Sequence, residues 1–499
     1  MIATLALRNL VLRPWRTVLL LAGFGLGVGV MITLLSIGDA MVAQATDEKL
    51  VGGGDVTILP EGVDIELLKT GGVGGMWFTV PNARFVYLQL LASPRLRPLV
   101  QAAAPQLEGK LLYLRPHRGG EEVAVRAGGE IPSLSAAVGN APDVIAGTWG
   151  DDDVDRRWRA PTDAELRHDI DHFHETPAGV LNGESWGEWH YFNVISADRK
   201  RWAFLTFLVG GDVPRGRWGG QLLLTLHEEG RGARRFSRVV DAGRVRYSTS
   251  DADLVLDDAS VRVLEDGRYA VKARIPAEGG GGGAADVDLV VSPSPRAYFP
   301  GTSLGGGDFV SGYVVPGLRA DATGRICVAG TCERYEGAQS YHDHNWGTWR
   351  GVTWEWGAAR AGAYTLLYGR VIAPDTLTAE TPLFLYLVDS LGFRAVFRPR
   401  AIRYDDARRI VVDGRTVRVP ARAVMTDARG ADTLRVELEI EDAAGTDTRR
   451  GGAERGETGL MRGIERPYFI QMKGSARLSG RVDGLVVRGE GTGFFETYR

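Results

Sequence analysis

From Glu188 to the C-terminus the chain runs in short apolar/polar alternations broken by Gly, Asp and Pro, and this pattern most limits what it can fold into. The first set reads WHYFNVIS, WAFLTFLVG, GQLLLTLHE, DLVLDD, YAVKARIPA and DLVVSPS. A second set follows from about residue 370, PLFLYLVDS, FRAVFRP, AIRYDD, RIVVDG and TLRVELEIED. Strands of this length, with no helix between them, predict a sandwich or an antiparallel barrel. The closing run RLSGRVDGLVVRGEGTGFFETYR is a hairpin about Asp483-Gly484, a strong turn pair. Gly279–Gly283 reads as a flexible hairpin loop. At 499 residues the chain exceeds one ordinary core, and two successive barrels are the economical reading. Its 67 glycines and 12 tryptophans suit a turn-rich β protein enclosing something apolar. A formal net charge of −3 argues against a nucleic-acid partner.

The N-terminal residues obey a different rule. Val18 to Gly38 contains no charge, and 21 residues of helix are long enough to cross a bilayer. Arg8, Arg13 and Arg16 precede this run, and Asp39, Asp47 and Glu48 follow it. That asymmetry places residues 1–17 in the cytoplasm as a basic lead-in and everything after Gly38 outside, in a single-pass protein. A cleaved signal peptide is the alternative, since Ala43-Gln44-Ala45 fits an A-x-A site, but the apolar run is long for one. Gly23/Gly27 and Gly25/Gly29 form G-x-x-x-G pairs that permit contact with another helix. Residues 39–165 read as a small mixed α/β segment and linker, with a strand in GDVTILP, a helix in FVYLQLLASPRLRPLVQAAAP and a short helix starting near Pro161–Thr162.

The opening LALRNLVLRPWRTVLLLAGFGLGVGV, with GGGDVTILPEG at 52–62, resembles the start of MacB/FtsX-type ABC-transporter permeases. The resemblance covers residues 1–110 and implies an extracytoplasmic segment and an ABC transporter subunit as a possible partner. The closing membrane helices of a permease are absent, so the chain forms no transport pathway alone. No G-x-x-x-x-G-K-[ST] sequence occurs either.

The chain's two cysteines, Cys327 and Cys332, lie in RICVAGTCER. If Ala329-Gly330 is a two-residue turn, Val328 faces Thr331 and Cys327 faces Cys332 across the ladder. Outside the cytoplasm that pair favours a disulfide over two free thiols.

Residues 341–356 read YHDHNWGTWRGVTWEW, with two of the eight histidines and four of the tryptophans. On a strand His342, His344 and Trp346 share one face while Tyr341, Asp343 and Asn345 share the other. Three readings follow from the residues. The two imidazoles with a third ligand bind zinc; or Asp343, buried among rings, becomes a proton donor; or the polar groups form a satisfied buried network tying the barrels together. No metal and no cofactor is assigned.

YHDHNWG at 341–347, with GESWGEWHYFN at 183–193, resembles the AttH/CrtC-like lipocalin-fold proteins, which include the carotenoid 1,2-hydratases (hydroxyneurosporene synthase) and, more distantly, tocopherol-cyclase-like proteins. Glu188, Trp189, Tyr191 and Phe192 match the upstream motif, and His190 stands where an aromatic is common. FVSGYVVPGLRADATGRICVAGT and SGRVDGLVVRGEGTGFFE also fit, so the resemblance spans residues 175–499. It implies two tandem lipocalin-like barrels, at 166–370 and 371–499, with an apolar cavity in or between them. It also implies protonation of an isoprenoid double bond by Asp343 and capture of the cation by water. Trp346, Trp349, Trp354 and Trp356 would stabilise the cation, and His342, His344 or Asn345 would flank the acid. Trp189, Tyr191 and Tyr341 would complete the lining.

The cluster RHDIDHFHE at 167–175 offers His168 and His172 at i,i+4, and reads as a solvated helix end or an interdomain contact before a metal site. His117 and His227 have no companions. Two functions remain: an anchored extracytoplasmic barrel protein that binds a lipid or isoprenoid, or a hydratase, isomerase or cyclase with Asp343 as acid.

Overall fold

The computed structural model describes residues 12, 14–46, 56–58, 79–115, 117, 119–139, 148–176, 180, 183–250, 252–279, 283–306, 309–373, 382–448 and 467–499. Arg8, Arg13, Asp47, Glu48 and most of the 52–62 segment lie outside the described residues, as does the middle of the Gly279–Gly283 loop. Helices are α1 (Pro14–Thr46), α2 (Val80–Ala92), α3 (Pro132–Ala137), α4 (Asp153–Trp158) and α5 (Asp163–Ile170). Over Pro14–Thr33, α1 is long and apolar enough to cross a membrane, with a mean hydropathy of 1.7. A signal sequence passes the same test. The chain divides into two compact units, residues 1–78 with 102–155, and 79–101 with 156–499. The first holds α1 and an antiparallel hairpin, β1 (Gln106–Leu114) with β2 (Val123–Glu130).

The second unit is almost entirely β. Its first sheet contains β3 (Trp186–Ile195), β4 (Arg201–Asp212), β5 (Arg217–Glu228), β6 (Gly232–Asp241), β7 (Val245–Tyr247) and β8 (Leu254–Leu256). It continues with β9 (Ala259–Val263), β10 (Tyr269–Pro276), β11 (Ala284–Pro293), β12 (Phe299–Gly306), β13 (Phe309–Val328) and β14 (Thr331–Thr348). The order is β6-β5-β4-β3-β14-β13-β11-β10-β9-β8-β7, with β12 added beside β13. A bridge from Phe236 to Ala277 brings β6 back against the end of β10, so the sheet curls round its own core.

The second sheet is made of β15 (Thr353–Ala361), β16 (Tyr364–Ile372), β17 (Phe384–Asp389), β18 (Gly392–Phe397) and β19 (Arg403–Asp405). The hairpin β20 (Arg408–Val412) and β21 (Arg415–Val419) precedes its last four strands. These are β22 (Arg422–Arg429), β23 (Asp432–Asp447), β24 (Tyr468–Val482) and β25 (Leu485–Tyr498). They run in the order β18-β17-β16-β15-β25-β24-β23-β22-β19 around a second core. Together the sheets make a nearly closed barrel and a half-barrel.

Sheet membership changes between Thr348 and Thr353. Residues 353–370, expected in the first domain, therefore form β15 and β16 of the second. Alternating strands look alike on both sides of that break, and only pairing separates them. A third core lies between the sheets, joining Tyr191, Phe204, Tyr313 and Tyr341 of the first to Trp356, Leu367, Tyr386 and Phe494 of the second.

Local turn chemistry fixes the β13–β14 hairpin. Ala329 and Gly330 both have positive φ (49° and 85°), the twist a two-residue turn requires. Cys327 then faces Cys332, and the two are joined by a disulfide.

Candidate functional site

β14 is central in the first sheet, paired to β13 on one side and β3 on the other. Its alternation divides the 341–347 block between two buried environments. Tyr341, Asp343 and Asn345 face the seam between the sheets. His342 and His344 face the barrel interior. The acid candidate and the imidazole pair therefore lie on opposite sides of a single strand.

In the seam, Asp343 is 3% exposed. The Tyr341 hydroxyl donates to Asp343 Oδ2 at 2.7 Å, and Asn345 Nδ2 donates to Oδ1 at 2.6 Å. Trp356 Nε1 donates to the Tyr341 oxygen at 2.8 Å, extending the chain onto β15. Burial is the main cause that pushes the Asp343 carboxyl up to about 8, and the charge of Glu496 adds to it. Glu496, buried on β25, accepts from the Tyr191 hydroxyl and from Trp354 Nε1, each at 2.9 Å. Burial raises its carboxyl too. Rings enclose this polar line: Tyr313 meets Trp356 edge-on at 4.9 Å, and Tyr341 lies 4.6 Å from Phe494. Asn345, Trp189, Trp354, Phe299 and Phe384, around this seam, are half-buried.

On the opposite face, Asp171 is fully buried among imidazoles. It lies just past the end of α5, whose start is fixed by a capping box of Thr162 and Glu165. A bidentate pairing of Arg84 on α2 with Asp169 holds this helix end. His342 Nε2 is 3.0 Å from Asp171 Oδ2, His344 Nδ1 is 2.5 Å from Oδ1, and His190 Nδ1 is 3.6 Å from Oδ1. The Tyr269 hydroxyl donates to Oδ2. His344 Nε2 lies 2.9 Å from Glu188 Oε1, and His174 Nδ1 reaches the same oxygen at 2.8 Å. Burial opposes charge on Asp171, but His190, His342 and His344 outweigh it and hold the carboxyl well below its usual range. Glu188 is lowered in the same way by His174 and His344. Burial also opposes charge on His344, yet its two carboxylate neighbours carry it up to about 9.

Several expectations need correction. His342 and His344 cannot flank Asp343, because adjacent residues on a strand point to opposite faces. Trp346 is also on the barrel-interior side, stacked on His174 at 3.9 Å, so it does not line the seam. Trp349 packs on Trp189 at 4.4 Å and donates to the Gly187 carbonyl, joining the seam's rim. The 168–175 cluster is no solvated helix end. α5 stops at Ile170, so His168 and His172 are not i,i+4 helical neighbours; His172 instead contacts the His168 carbonyl, and His168 accepts from the Ala252 N–H. His227 does have a companion, Asp442 of the second sheet, at 2.5 Å. The sequence offers Asp171 only within the RHDIDHFHE cluster and Glu188 only as a match to the upstream motif, and Glu496 is not singled out by it at all. A usable signal was the odd density of His and Asp in 168–175 beside that in 341–347.

No family model and no curated protein matches the chain, so the permease resemblance of residues 1–110 gains no support. Solved structures do show likeness. An AttH protein from Nitrosomonas europaea matches at 15% identity and a TM-score of 0.45, over 66% of this chain and 98% of that one. Kievitone hydratase from Nectria haematococca matches at 13% identity and a TM-score of 0.40, over 66% and 94%. CghA, solved with Sch210972, matches at 13% identity and a TM-score of 0.39, over 63% and 88%.

Proposed function

We propose that the chain is an acid catalyst acting on a carbon–carbon double bond of an apolar, isoprenoid-type substrate at the seam between its two sheets. One observation carries this reading: a carboxyl, Asp343, that is buried among aromatic rings, a setting that pushes it up to about 8. Asp343 gives its Oδ proton to one alkene carbon, leaving a tertiary carbocation and a carboxylate. The Tyr341 hydroxyl and Asn345 amide already point at that carboxylate and stabilise it as it forms. The faces of Trp356, Tyr313 and Phe494 stabilise the cation. Water adds to the cation in a hydration, and the proton it sheds returns to Asp343; loss of a different proton gives an isomer.

The test is incubation of the purified chain in D2O with acyclic polyenes such as lycopene and squalene, followed by mass spectrometry. Deuterium or water incorporation, abolished by Asp343→Asn with polyene binding retained, is the expected result. Polyenes that bind and return unlabelled would overturn catalysis and favour a second reading, a binding protein for apolar ligands. The apolar helix α1 favours that second reading, because a membrane anchor supplies such ligands directly.

A further inference from the structure

The polar cluster inside the first barrel takes no part in the chemistry assigned to Asp343, yet it brings Asp171, His190, His342 and His344 together fully buried. Its hydrogen bonds fix the tautomers. His342 Nδ1 lies 3.0 Å from the Tyr191 carbonyl, and His190 Nε2 lies 2.9 Å from the Ala252 carbonyl. A carbonyl only accepts, so both of those nitrogens carry a proton. The remaining nitrogens, His342 Nε2 and His190 Nδ1, then offer lone pairs, and both face the Asp171 carboxylate. Acceptor facing acceptor in a dry interior is unfavourable unless a proton or a metal ion lies between. His190 Nδ1 in particular is fully buried with no hydrogen-bond partner.

We propose that Asp171, His190 and His342 form a divalent transition-metal site of zinc type in the core of the first barrel. The three donor atoms lie within 4.8 Å of one another. Zinc held at about 2.1 Å sets neighbouring ligand atoms roughly 3.4 Å apart. The separations from Asp171 are near that value, 3.0 Å from His342 Nε2 to Oδ2 and 3.6 Å from His190 Nδ1 to the other oxygen, Oδ1. His344, only 2.5 Å from Asp171, leaves no room for an ion between them and instead donates its N–H to the carboxylate. The outer layer has the form that metal-bound histidine requires, each ring held at its far nitrogen by a backbone carbonyl. The ligand pair differs from the His342/His344 pair suggested by the strand alone, because His344 belongs to the layer that orients Asp171.

This site is independent of catalysis at Asp343, and so is its test. The full-length chain, produced with added Zn2+ and dialysed against metal-free buffer without chelator, is assayed by elemental mass spectrometry and, after refolding with Co2+, by visible absorption. About one zinc per chain is expected, with a Co2+ spectrum of low-symmetry nitrogen/oxygen coordination. His190→Gln and His342→Gln should each weaken binding by more than the roughly 10–100-fold that loss of an outer-layer partner costs, while His227→Gln keeps the metal. Circular dichroism separates lost ligands from lost fold. Because a variant can unfold, a second measurement uses wild type only: zinc should raise the Tm of chain refolded without metal, as any ligand of the native state does. Wild-type protein that retains no zinc and shows no Tm response, or His190→Gln that binds as well as wild type, would overturn the proposal.

Discussion

Single residues set the pH behaviour of this molecule. His344 is raised from 6.5 to about 9 on folding, so it contributes stability fully below pH 6.5 and loses it as pH rises through 9. Asp343 is raised from 3.8 to about 8, so the folded state binds its proton more tightly and stability also falls as pH climbs toward 8. Asp171 and Glu188 are lowered; their contribution is present above the ordinary carboxylate range and lost as pH falls below it. Stability should therefore peak in the weakly acidic range, just above the ordinary carboxylate values, and fall from there to about pH 9; urea denaturation from about pH 4 to pH 10 measures it. Asp343→Asn should flatten the descent between the weakly acidic range and about pH 8; an unchanged descent would show that Asp343 ionises as freely folded as unfolded. Glu496→Gln removes a negative charge from the seam and should move the Asp343 pKa down from about 8, read by carbon NMR of its carboxyl.

At the scale of the element, β14 shows what a sequence can and cannot reveal. The Ala329–Gly330 turn and the Cys327–Cys332 pairing were legible, because turn chemistry and ladder geometry are local. So was the division of 341–345 between two faces, because a strand's period is 2. The partners were not legible. Asp171 reaches His342 across 171 residues, and Tyr191 reaches Glu496 across 305. No local pattern encodes such distances, and a run such as RHDIDHFHE looks solvated until a fold covers it. Close packing beside β14 gives a further expectation. A Cβ on Gly312 would stand 2.1 Å from the Trp346 ring. Gly312→Ala should thus displace Trp346 from His174 and cost about 1–3 kcal/mol, measured by denaturation. A cost near zero would mean that Trp346 shifts freely.

For the whole of the β-rich unit, the question is what joins two sheets that each have a core of their own. Part of the answer is apolar, the third core of aromatic rings. Another part is polar: Asp442 of the second sheet takes Trp202 Nε1 at 3.2 Å and His227 Nδ1 at 2.5 Å from the first. Asp442→Ala would leave both donors buried without a partner, at a cost of about 1–3 kcal/mol. The expected signature is a change in the coupling of the two sheets, with hydrogen exchange rising along β4, β5 and β23 ahead of global unfolding. Uniform exchange across both sheets would show the pair to be dispensable. Sequence patterning anticipated a two-part β architecture but put the junction at 370/371, since pairing partners, not alternation, decide which sheet a strand joins.

A strand with a polar centre on each side has no harmless slip. Deleting one residue just ahead of Tyr341 would turn Asp343 into the barrel and the imidazoles toward the aromatic seam, exchanging two incompatible settings in one event. Single-residue insertions or deletions within residues 335–345 should therefore be lethal to the fold. The neighbouring hairpin tip, where Thr331 and Glu333 project from the barrel, is free to lengthen in pairs.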